Sequence, residues 1–158
     1  AAAAAPAWAA AGRQNPGVVM EQTLQPLAAL TAAVRDGSLS PTQPLRIVVE
    51  FCNSEHYSRR HDIDRYQSYY EQLDAALRRH LAGRPFTLYP NTVPGAAGAM
   101  EPRAGAFEVY VNWTASDGVS RSVVVFSKFE SQRYPNPDQI AGRLEHLLTG
   151  ADDRPEEA

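Results

Sequence analysis

The sequence predicts a single α/β domain, with helices packed on a mixed sheet in the order β-α-β-β-β-α. Three observations carry this reading. Residues 45–52, "LRIVVEFC", form a β-branched apolar run. Tyr66, Tyr69, Tyr70, Leu73, Leu77 and Leu81 follow it at helical spacing. Two strand-like runs then flank Asp117-Gly118, a pair typical of tight hairpin turns.

Each element has its own local signal. The first run is apolar at nearly every position, as expected for a central strand covered on both faces. The helix after it has Asp62 or Asp64 available to cap its start and Gly83 to end it. "PFTLYP" reads as a short strand, expected to lie parallel to the first, and "NTVPGAAGAMEPRAG" as a Gly/Pro connector, mobile or bound by a partner. "AFEVYVNW" and "VSRSVVVF" are antiparallel neighbours around "TASDG". The last helix has Pro137 in its first turn, Ile140, Leu144, Leu147 and Leu148 facing the core, and Gly150 at its end.

Upstream, residues 18–34 predict one further helix with Met20, Leu24, Leu27, Leu30 and Val34 on a stripe and a kink at Pro26. "SLSPTQP" then separates it from a domain expected to begin near Pro44. This gives an Ala/Pro-rich extension with one helix over residues 1–43, a domain over 44–150 and a charged tail over 151–158. Residues 1–17 have no amphipathic pattern for docking on their own domain, and are read as an attachment element ordered by another chain. Residues 1–20 contain Arg13 and no acid; an organelle import remnant and a plain Ala/Pro tail both fit.

Composition narrows the function classes. The 158 residues are 44% hydrophobic and 21% charged, without an apolar run of the roughly 20 residues that span a bilayer. A net charge of −3 offers no broad cationic surface for a phosphate backbone, so no direct nucleic-acid partner is expected. Cys52 is the single cysteine, which rules out an internal disulfide and a thiolate-rich zinc site. Asn112-Trp113-Thr114 matches a glycosylation acceptor, but falls at the end of a strand.

In order along residues 45–148, a strand ending in Cys52, an aromatic-rich helix, "GAFEVYV", a hairpin, "VVVFSKFESQRYP" and a helix opening with "NPDQI" resemble the Rdx family, the selenoprotein W, T, V and H type. The resemblance implies a thioredoxin-like β-α-β-β-β-α sandwich, here with an extra N-terminal helix. It also implies a redox motif of Cys, two residues, and Cys or selenocysteine, where this chain reads Cys52-Asn53-Ser54-Glu55. A carboxylate at Glu55 cannot release a mixed disulfide as a second thiolate does.

Two readings of Cys52 follow: a buried residual cysteine, or a one-cysteine redox group open to glutathionylation or an intermolecular disulfide. Cys52, Glu55, His56 and His61 match no established zinc spacing, so no metal or other cofactor is expected. His80 and His146 are expected on solvated helix faces. The "HYSRRHDIDR" loop mixes charge, aromatic surface and donors, which makes His56, Tyr57, Arg59 and Arg60, with Trp8 of the extension, the candidate partner-binding residues. The function expected is that of a non-catalytic accessory subunit of a larger assembly, mitochondrial or otherwise cytoplasmic. The alternative is a single-cysteine thiol oxidoreductase or redox sensor.

Overall fold

The structure, a computed structural model, describes residues 14–53, 60–96, 98 and 100–153, with the backbone alone for residues 60–62. A four-stranded mixed sheet is built from β1 (Leu45–Phe51), β2 (Phe86–Pro90), β3 (Phe107–Thr114) and β4 (Ser120–Ser127). Its order is β2-β1-β3-β4. β1 pairs with β2 in parallel and with β3 in antiparallel register, and β3 and β4 form the hairpin predicted around Asp117-Gly118. Gly118 has φ 82°, which glycine adopts without a Cβ clash.

Alternation along β1 and β3 divides the core between the two faces. Leu45, Ile47, Val49 and Phe51, with Phe107, Val109, Val111 and Trp113, join the large buried cluster. α3 (Arg60–His80) and α5 (Pro137–Leu147) cover that face with Leu73 and Leu77, and with Ile140 and Leu144. α5 starts as its sequence predicts, with Asn136 Oδ1 accepting the Gln139 N–H at 3.2 Å and Pro137 in the first turn. α3 begins ahead of both Asp62 and Asp64, so neither aspartate is its cap.

Residues 18–34 do not form one helix. α1 (Pro16–Met20) runs into a 3-10 turn (Glu21–Thr23), the chain extends at Leu24, and α2 (Ala28–Asp36) follows. Pro26 is the physical reason, since its ring drives Gln25 out of the helical region and removes a helix donor. The extended stretch is used: Leu24 bridges Ser122 in parallel, and the Gln25 N–H donates to the Ser122 carbonyl at 2.7 Å. This covers part of the β4 edge, which would otherwise present unpaired backbone groups.

The segment passes from one face of the sheet to the other around that edge. α1 places Met20 in a second buried cluster with Val48 and Tyr110, whereas α2 places Leu30 and Ala33 in the main core with Leu39 and Leu45. Asn15 Nδ2 donates to the Glu101 carbonyl at 3.0 Å, and Pro16 and Gly17 are buried. Residues 15–17 therefore dock on their own domain, against the expectation for this stretch, because a short helix with buried proline and glycine can approach the sheet closely. Residues 1–13, and Trp8 with them, lie outside the described residues.

The Gly/Pro connector is also tied to the domain at its described residues. The Met100 N–H donates to the Asn91 carbonyl at 2.8 Å, and Arg103 binds Glu50. These two contacts hold Met100 and Arg103 against the sheet. At the C-terminus, Arg35 binds Asp152 and Arg143 binds Asp153, which fastens the start of the charged tail to α2 and α5. No helix among the described residues is long and apolar enough to cross a membrane.

Candidate functional site

The site is the C-terminal end of β1, where the apolar strand gives way to a polar stretch of sequence that begins at Asn53. Two neighbours fix its backbone. On one side Asn91 acts as an extra strand residue: its Oδ1 accepts the Phe51 N–H at 2.8 Å and its Nδ2 donates to the Phe51 carbonyl at 3.0 Å. Asn91 sits at φ 49°, a left-handed conformation that asparagine tolerates better than most residues. On the other side the Cys52 N–H donates to the Ala106 carbonyl at 3.0 Å, which ties the strand end to the loop before β3.

Cys52 is 0% exposed and belongs to the main apolar cluster with Tyr66. The tyrosines of α3 enclose this end of the core. Phe51 stacks on Tyr70 with ring centroids 4.7 Å apart, and Tyr69 meets Phe107 edge-on at 6.0 Å. Burial pushes the Tyr70 hydroxyl above its ordinary titration range. Core packing is thus the role of this aromatic stripe.

One residue before Ala106, the Gly105 carbonyl accepts two side-chain donors, Tyr66 Oη at 3.4 Å and Lys128 Nζ at 3.1 Å. The Lys128 ammonium lies 5.8 Å from the Tyr66 ring centroid and 5.4 Å from that of Tyr134, and the Arg65 guanidinium lies 5.0 Å from the same Tyr134 ring. Lys128 opens α4 (Lys128–Ser131), a short helix that the sequence reading did not single out. A signal was present, because Ser127 and Glu130 have capping-box spacing. The structure uses half of it: Ser127 Oγ accepts the Glu130 N–H at 3.0 Å.

The opposite sheet face beside the site carries buried charge. Glu50 accepts the Arg103 backbone N–H at 2.8 Å and bonds its Nε at 3.0 Å and Nη2 at 2.6 Å. Burial disfavours the Arg103 cation, but the hydrogen bonds and charge of Glu50 outweigh that cost and hold its pKa above the ordinary value. Glu108 accepts the Ser127 hydroxyl and the Lys128 N–H, the latter at 2.7 Å. Burial raises its pKa against those hydrogen bonds, and burial also raises that of Tyr110. These contacts connect the site loop and α4 to the sheet.

Of the predicted site residues, the structure places Cys52 in the core. Glu55, His56, Tyr57 and Arg59 lie outside the described residues, and Arg60 and His61 are described only as the first backbone positions of α3. Sequence reasoning missed Asn91, Gly105, Lys128 and Tyr134. Lys128 and Tyr134 stand in "FSKFESQRYP", one of the segments that carried the resemblance, whereas Asn91 owes its role to a backbone turn. His80, expected on a solvated face, instead bridges two helices: Nε2 bonds Asp138 at 2.9 Å and Nδ1 bonds Glu145 at 3.0 Å. Asn112 uses its side-chain nitrogen on Ser120, Arg121 and Ser122 and is buried, so the acceptor tripeptide there has a structural role.

A βαβ unit, a hairpin and a closing helix on one mixed sheet, with a cysteine just after the first strand, define a thioredoxin-like domain. Residues 46–146 match the model of the Rdx family, and the chain belongs to that family. Comparisons with curated proteins and with solved structures find no match. Family membership gives the chain a thioredoxin-like, redox-related setting.

Proposed function

We propose that this chain is a non-catalytic, thioredoxin-like accessory subunit that contributes binding surface to a larger protein assembly. The observation that carries the reading is the state of Cys52: it is the single cysteine and is wholly buried in the apolar cluster. A catalytic thiol must meet its disulfide partner in solvent and be resolved by a second thiolate, and reactive cysteines accordingly sit in partly exposed, electropositive surroundings. In this reading Cys52 packs, and binding falls to the His56, Tyr57, Arg59 and Arg60 loop and to Trp8. We place the assembly in the mitochondrion, on the acid-poor composition of residues 1–20.

The test is native sizing of the endogenous protein after cell fractionation. Co-migration with a large complex in the mitochondrial fraction is the expected result. A monomeric species in every fraction overturns the subunit reading.

A second reading, a single-cysteine thiol oxidoreductase or redox sensor, is favoured by family membership. It requires an opening of the fold that exposes Cys52. Thiol-transfer activity that Cys52→Ser abolishes, with folding intact, makes it the better account.

A further inference from the structure

We propose that Lys128 and Tyr66 form a latch on the Gly105 carbonyl, and that its release parts the loop before β3 from Cys52 while the sheet stays folded. Three pieces of chain that are far apart in sequence meet at this one oxygen. The Lys128 ammonium donates to it at 3.1 Å from the first residue of α4, and the Tyr66 hydroxyl at 3.4 Å from α3. The two donors are also coupled to each other, since the ammonium lies 5.8 Å from the Tyr66 ring centroid.

The next residue gives the latch its consequence. The Ala106 carbonyl accepts the Cys52 N–H at 3.0 Å, one step beyond the last β1–β3 pair, Phe51 with Phe107. A loop freed at Gly105 can therefore leave Cys52 without breaking the β1–β3 ladder. On the opposite side, Asn91 holds both backbone groups of Phe51, through Oδ1 at 2.8 Å and Nδ2 at 3.0 Å. That clamp stops one residue short of Cys52, which sets the limit of the opening between the two.

The two arms differ in strength. Tyr66 is 5% exposed and belongs to the main core, so its ring stays in place. Lys128 is carried by a helix of four residues, too short to be stable by itself, and that helix is fastened by Glu108, which accepts the Lys128 N–H at 2.7 Å. Segments with few contacts of their own open at lower free energy than a central strand. The lysine arm is the one that lets go first, and Cys52 is uncovered by this local opening at lower free energy than by unfolding of the domain.

Alkylation of Cys52 by iodoacetamide in the purified full chain, followed by intact mass across a urea series, reads the opening. Each rate is divided by that of the same chain unfolded in concentrated urea, which removes differences in intrinsic reactivity. A local opening gives a rate nearly independent of urea well below the unfolding midpoint, whereas exposure by global unfolding rises steeply with the slope of the equilibrium transition. The first behaviour is expected, with Lys128→Met raising the plateau roughly tenfold and Tyr66→Phe roughly threefold, more than their shifts in urea midpoint account for. A steep dependence down to zero urea in every chain, or a plateau that K128M or Y66F leaves unchanged, overturns the proposal. The readout needs no partner, so a failure here is distinct from a failure of the native-sizing test.

Discussion

The Glu50 carboxylate lies beneath α1 with no exposed surface, and Arg103 grips it through its backbone N–H at 2.8 Å and its guanidinium Nη2 at 2.6 Å. The pair links the central strand to the connector before β3, next to the end of β1 where Cys52 follows. Removing one partner would strand a buried charge. Arg103→Ala is expected to cost about 3 kcal/mol, at the low end for a buried pair because the guanidinium is partly solvated. Replacing both residues with leucine should cost less than that single change. Urea denaturation of the two variants checks both values.

Gly17 lies directly over this pair. A Cβ there would fall well inside van der Waals contact distance of Arg103 Nη2 and 2.6 Å from Glu50 Oε1. Gly17→Ala is therefore expected to destabilise the fold by about 1–3 kcal/mol, although alanine is the better helix former. An unchanged or raised melting temperature would show that α1 does not clamp the pair.

The N-terminal strap gives a larger effect. Residues 1–43 read in sequence as an extension, yet Met20, Leu30, Ala33 and Leu39 are buried with the sheet. Truncating one such leucine to alanine costs roughly 2–5 kcal/mol, a large share of the stability of a domain this size. We therefore propose that the folding unit includes residues 15–39. A fragment starting at Pro44 should melt far below the full chain or fail to fold. Cooperative melting at the full-length temperature would restore the boundary at Pro44.

Elements with one strong local period were legible in the sequence: β1, the β3–β4 hairpin and the buried faces of α3 and α5. The apolar spacing of residues 18–34 was legible as well, but not what Pro26 makes of it. The residues feed opposite faces of the sheet, and only tertiary structure shows that Leu24 meets Ser122. The site was half legible. Cys52 could be placed at the end of a strand, whereas Asn91, Gly105 and Lys128 act through contacts between residues far apart in the chain, which no local pattern encodes.

His80 gives the fold a pH dependence. Its hydrogen bonds to Asp138, then to Glu145, raise its pKa above the ordinary value of 6.5. Its contribution to stability is fully present below that value and is lost as pH rises through the raised pKa. The Asp138 carboxyl, lowered by the His80 hydrogen bond, contributes above its ordinary 3.8 and loses that contribution as pH falls below it. Urea midpoints should therefore drop between pH 6 and pH 9, and His80→Gln should remove that slope. An identical slope in the variant would assign it to other groups.

Thiol reactivity tests the central claim most directly. If Cys52 packs in the core, its alkylation by iodoacetamide under native conditions must wait for opening of the site, and should run orders of magnitude slower than in urea. Glutathione disulfide should leave the native chain unmodified over the same period, and Cys52→Ser should cost on the order of 1 kcal/mol without loss of complex incorporation. Native alkylation as fast as in urea, with stoichiometric glutathionylation of Cys52, would contradict a structural cysteine and a non-catalytic subunit.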